Sequence, residues 1–131
     1  MRKKQSIIAV IDDDEEVREA IMELMRSHGL AAEAFSSGEE FLGSRQTGRT
    51  ACVIADFNMI GMSGLDVHYH LLERGKAIPT ILITAYPNDE VRARALSAGV
   101  ICYLIKPFSE EHLIDCVRSG LAHDADGGRQ P

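Results

Sequence analysis

Apolar residues along the chain fall into two rhythms. Short continuous runs, IIAVI at 7–11, ACVIA at 51–55, ILIT at 81–84 and ICYLI at 101–105, alternate with polar-rich stretches whose apolar positions recur every three or four residues. The first rhythm reads as buried strands and the second as amphipathic helices. Strands are expected over 6–11, 30–35, 51–56, 79–84 and 100–105. The first helix carries Val17, Ala20, Ile21, Leu24 and His28 on one face and stops at Gly29. A second starts within SSGEEFL, where Ser36 with Glu39 and Ser37 with Glu40 both have capping-box spacing, and GSRQTGRT then reads as loop. Further helices are expected over about 64–74, closed by Gly75, about 88–98, closed by Gly99, and about 109–122, with a stripe of Leu113, Val117 and Leu121. Residues 1–5 form an N-terminal extension, 6–122 one domain, and 123–131 a polar tail expected to be disordered.

Strands that each precede a helix imply an α/β fold, a doubly wound parallel sheet of five strands covered on both faces by five helices. The runs VIAD, ILIT and CYLI are apolar throughout, as central parallel strands must be. A length of 131 residues and 45% hydrophobic content suit one soluble domain. No run approaches the roughly 20 apolar residues of a membrane helix, and five apolar residues before Asp12 are too few for a signal-peptide core. A cytoplasmic location without membrane contact is therefore expected. The net charge of −6, without a basic stripe, argues against direct nucleic-acid binding. Cys52, Cys102 and Cys116 are scattered and read as structural thiols, with no Cys/His cluster for zinc. His28, His68, His70, His112 and His123 read as surface or packing residues.

Ligands of such sheets gather at the carboxyl ends of the strands. Strand one ends in Asp12 and Asp13, strand three in Asp56, strand four in Thr84, and strand five in Ile105 followed by Lys106 and Pro107. Three carboxylates against one ammonium leave −2, the charge one Mg²⁺ neutralises, and hard oxygen ligands suit that ion. Asp56 beside such an ion is a candidate nucleophile toward phosphorus, with Lys106 and the Thr84 hydroxyl placed to meet the charge of the phosphoryl oxygens. Asp14, Glu15 and Glu16 fall in the first turn of the following helix, where its dipole favours negative charge.

IDDD at 11–14, DFNMIGMSGLD at 56–66, ILITA at 81–85 and LIKPF at 104–108, in that order, resemble the receiver domain of two-component response regulators over residues 6–122. The steps are 44 residues from Asp12 to Asp56, 28 to Thr84 and 22 to Lys106. The resemblance implies a flavodoxin-like sheet of strand order 2-1-3-4-5, and Asp56 as acceptor of a phosphoryl group from a sensor histidine kinase or histidine phosphotransfer protein. It implies a Mg²⁺ site of Asp12, Asp13, Asp56 and the backbone carbonyl of Asn58, with Asp13 the more direct ligand and Asp12 acting through water. Thr84 and Lys106 match the phosphoryl-sensing pair, Tyr103 the aromatic switch, and the Lys106–Pro107 bond is expected to be cis. The output surface would be helix four, strand five and helix five, with Arg92, Arg94 and Tyr103 as contacts and a phosphorylation-dependent dimer as one outcome. Such a domain catalyses only its own phosphorylation and dephosphorylation, and so is expected to be a signalling domain and not an enzyme.

The chain departs from the family where Met59 is usually followed by proline, since Ile60 stands there. A freer loop is expected. Tyr86, two residues after Thr84, is bulky enough to shield a phosphoryl group from water. Fewer than ten residues follow Ala122, too few for a DNA-binding fold, so these residues are expected to act through a downstream protein, or through an effector domain if the protein is longer. A phosphatase of the haloacid-dehalogenase class would place an aspartate where Asn58 stands, and a flavodoxin would not line its phosphate loop with carboxylates. The remaining alternative is a degenerate receiver that binds partners without phosphorylation.

Overall fold

Isoleucine, valine, leucine and alanine dominate the predicted strands, and the three central strands lie with both faces buried. The computed structural model describes residues 6–127, the last five by backbone alone. Its elements run β1 (Ile7–Ile11), α1 (Glu15–Ser27), β2 (Ala32–Phe35), α2 (Gly38–Leu42), a 3₁₀ helix (Arg45–Arg49), β3 (Thr50–Asp56), α3 (Gly64–Glu73), β4 (Thr80–Thr84), α4 (Asp89–Ser97), β5 (Cys102–Ile105) and α5 (Glu110–Gly127). The strands form one parallel sheet in the order β2-β1-β3-β4-β5. Among the described residues no helix is long and apolar enough to cross a membrane.

Alternation along the strands divides the core. Ala9, Ile11, Val53, Ala55 and Leu82 point to the layer holding α2, α3 and α4, where they meet Phe41, Leu65, Leu71 and Ala95. Ile8, Val10, Ile54, Ile81 and Ile83 point to the other layer and meet Ile21 and Met25 of α1 and Leu113 and Val117 of α5. The register then aligns the strand ends. Ile11 stands beside Phe35 and Ala55, Asp56 beside Ile83, and Thr84 beside Ile105. The residues that follow these positions emerge together at one edge.

Local chemistry sets the helix starts. Asp14 caps α1, its carboxylate accepting the N–H groups of Glu16 and Val17. Ser37 caps α2, while the Glu40 carboxylate accepts from the N–H (2.7 Å) and hydroxyl (2.9 Å) of Ser36, bonds that hold it below the usual range. Ser63 and Asp66 close a reciprocal capping box on α3.

Several boundaries and faces differ from the sequence reading. On α1 the fully buried positions are Ile21 and Met25, one helical turn apart; Ala20 is exposed, and His28 is the exposed cap residue beyond the last turn. GSRQTGRT is not simple loop: Ser44 caps the 3₁₀ helix, and the Thr47 hydroxyl donates to the Ser44 carbonyl at 2.9 Å. Helix α5 runs through Gly127, past the expected end at Ala122, so residues 123–127 of the expected disordered tail are helical. Residues 128–131 and the extension 1–5 lie outside the described residues.

The start of α3 lies directly against β3. A Cβ on Gly64 would stand 2.8 Å from the Asp56 carbonyl oxygen and 2.8 Å from Leu82 Cδ2. Gly64→Ala is expected to lower stability in urea unfolding by about 1–3 kcal/mol, because such crowding outweighs the roughly 1 kcal/mol that alanine gains in helix propensity.

Candidate functional site

β1 leaves the core through Asp12, which is 1% exposed although it follows Ile11 directly. Its Oδ1 accepts the Asp14 N–H at 2.9 Å, and its carbonyl accepts from the Arg18 guanidinium at 2.7 Å. Burial, opposed by the Asp14 N–H, pushes the Asp12 carboxyl up to about 6; the charges of Asp56 and Asp13 add to the rise and Lys106 counters it.

Asp56 ends β3 and is 6% exposed. Its Oδ1 accepts the Asn58 N–H at 2.9 Å, and its Oδ2 accepts from Lys106 Nζ at 3.1 Å. The same ammonium stands 3.8 Å from Asp12 Oδ2. Lys106 is placed by β5, its N–H donating to the Thr84 carbonyl at 2.8 Å, and the Lys106–Pro107 bond is cis. Asp13 is exposed, and its Oδ2 accepts the N–H of Ile60 at 3.1 Å across the β3–α3 loop. One carboxylate oxygen from each of Asp12, Asp13 and Asp56 lies within 4.8 Å of the others. Two buried carboxylates and one exposed one, with a single ammonium among them, are compatible with Mg²⁺, which takes a few protein oxygens and keeps waters.

Thr84 is fully buried, and its hydroxyl is used twice, donating to Asn58 Oδ1 and accepting the Tyr86 N–H at 3.0 Å. The sequence reading assigned Asn58 only a backbone carbonyl and missed this side-chain bond; no side-chain pattern announces it. Tyr86 is 73% exposed at the same edge. Tyr103 takes its hydrogen bond from α4's cap. Its half-buried ring packs on the α3/α4 layer and its hydroxyl accepts the Asn88 N–H, at the cap of α4, at 3.3 Å.

The histidines separate into one core residue and exposed ones. His68 is buried, with Nδ1 2.9 Å from Thr80 Oγ1 and Nε2 2.8 Å from the Ala98 carbonyl. His28, His70 and His112 are exposed, and the side chain of His123 lies outside the described residues. Cys52 and Cys116 are buried and Cys102 half-buried, and the three form no disulfide; burial, with Cys102 alongside, pushes the Cys116 thiol up to about 12.

Asp12 has a consequence for stability. Between about pH 4 and 6 the folded protein retains a proton that the unfolded chain has released, so stability falls as pH rises through that window. Asp12→Asn is expected to raise stability at pH 7 by about 2 kcal/mol. The gain should shrink as pH falls through 6 and vanish near pH 4, measured as urea midpoints across pH without Mg²⁺.

Comparison with known proteins places this edge in context. Residues 8–118 match the family described as response regulator receiver domain. The response regulator protein TodT of Pseudomonas putida is 40% identical over 121 residues, 92% of this chain and 53% of TodT. The transcriptional regulatory protein FixJ of Azorhizobium caulinodans is 34% identical over 123 residues, 94% of this chain and 58% of FixJ. The solved structure of the response regulator StyR superposes with a TM-score of 0.89 at 35% identity, covering 96% of this chain and 64% of that one. The chain thus spans about half the length of the curated relatives it matches. With its strand order and its carboxyl-edge acidic cluster, the chain belongs to the response regulator receiver domain family.

Proposed function

We propose that Asp56 accepts a phosphoryl group from the phosphohistidine of a sensor histidine kinase or histidine phosphotransfer protein. The observation that carries this reading is Lys106 Nζ, 3.1 Å from a strand-end carboxylate that is itself grouped with two others. An Asp56 carboxylate oxygen attacks phosphorus, the P–N bond to the donor imidazole breaks, and the imidazole leaves with a proton from water. Lys106 and Thr84 face the phosphoryl oxygens as charge redistributes over them. Asp12, Asp13, Asp56 and the Asn58 carbonyl are the groups that would hold Mg²⁺, which when bound neutralises carboxylate and phosphoryl charge. An apolar groove of about 540 Å³ between α1 and the β5–α5 loop, lined by Val17, Ala20, Leu24 and Phe108, opens beside Lys106 and would seat the donor protein.

Phosphorylation adds charge and acceptor oxygens that compete for the Thr84 hydroxyl. Thr84 then gives up Asn58, Tyr103 turns inward and gives up Asn88, and the α4–β5–α5 face is presented differently. Arg92 and Arg94, both exposed on α4, belong to that face. Its partner is a downstream protein, an attached effector domain or a second copy. A bias between two existing states is sufficient for this switch.

Intact mass after incubation with Mg²⁺ and acetyl phosphate tests the acceptor. A gain of about 80 Da, one phosphoryl group, is expected in the wild type and not in Asp56→Asn. No gain even with a histidine kinase would favour the degenerate, phosphorylation-independent receiver instead.

A further inference from the structure

The β3–α3 loop crosses the acidic cluster and is tied to it by backbone donors. At its start the Asn58 N–H binds Asp56 Oδ1 at 2.9 Å; at its crest the Ile60 N–H binds Asp13 Oδ2 at 3.1 Å, a link between residues 47 apart in the chain. Gly61, with φ +84°, supplies the bend that follows. The Ile60 side chain takes no part, being 89% exposed. Residue 60 therefore reaches the site through its amide.

Charge explains what this amide does. Lys106 serves Asp56 directly and Asp12 more distantly, and Ile60 supplies Asp13 a hydrogen-bond donor. A hydrogen bond and a bound cation draw on the same carboxylate electron density, so the two compete. We propose that the Ile60 amide is a latch: it occupies Asp13 when no cation is bound and is released when Mg²⁺ takes that carboxylate. Ile60 is thus a positioning residue that couples Mg²⁺ binding to the position of the loop carrying Asn58, an inference resting on the Mg²⁺ site proposed above. Proline at this position would have no N–H to donate.

The test measures Mg²⁺ alone, by calorimetric titration, against wild type, Ile60→Ala, Ile60→Pro and a chain in which the residue-60 amide is replaced by an ester. Ile60→Ala keeps the N–H and should bind like wild type. Ile60→Pro and the ester should each bind Mg²⁺ about five-fold more tightly, the scale of one hydrogen bond of about 1 kcal/mol. In unsubstituted protein, hydrogen exchange at the Ile60 amide should accelerate at saturating Mg²⁺. Ester and wild-type affinities that agree, or slower Ile60 exchange with Mg²⁺, would overturn the latch while leaving the Mg²⁺ site standing. A change in Ile60→Ala as large as in the ester would overturn it too, by assigning the effect to the side chain. No Mg²⁺ binding by any form would remove both the site and the latch.

Discussion

The ammonium of Lys106, 3.1 Å from Asp56 and 3.8 Å from Asp12, lets two buried carboxylates stand at the ends of adjacent apolar strands. Without a cation, a charge at either position would be both desolvated and repelled by its neighbour. Everything at this edge is arranged around that compromise. Asp12 receives one backbone donor from Asp14, Asp56 one from Asn58, and the sheet register brings β5 near enough for Lys106 to reach both. The compromise is incomplete, as the raised Asp12 carboxyl records. A site left short of positive charge is suited to receive more of it, and the same deficit weighs on the fold.

Thr84 shows how the unmodified protein holds its groups in reserve. The buried hydroxyl has one proton to donate and gives it to Asn58, so it cannot donate to a new acceptor without surrendering that bond. The surrendered partner is Asn58, on the loop that also carries Ile60. A change at the acidic cluster and a change at Thr84 therefore reach the same β3–α3 loop, at Ile60 and at Asn58.

The strands and the site's side chains were legible in the sequence because each is announced by identity. A continuous apolar run that stops at a polar or charged residue reads as a buried strand with chemistry at its end, as VIAD does at Asp56, ILIT at Thr84 and CYLI just before Lys106. The helix faces were less legible. Ala20 and His28 satisfy the period of α1, yet Met25 is the residue that enters the core, because the crossing of α1 over the sheet and not period alone selects the buried stripe. The 3₁₀ helix after Ser44 and the extra turns of α5 carry no apolar signal of their own. Least legible were the bonds made by main chain: the donors on Asp13 and on the Tyr103 hydroxyl are N–H groups of Ile60 and Asn88, and almost any residue could have supplied them.

His68 sits at the opposite edge of the sheet, where it joins α3, β4 and the turn after α4 through Thr80 and Ala98. It meets the C-terminal cap of α4 through a part-buried bond of 2.8 Å, whereas the N-terminal end meets Tyr103 through a longer bond of 3.3 Å at Asn88. A helix fastened more firmly at one end is a lever with its fulcrum there. The nine residues of α4 give an arm of about 13 Å, so a displacement of about 1 Å at the Asn88 end corresponds to a tilt of about 4°. Any tilt of α4 about its His68-bonded end would therefore be read out chiefly at Asn88.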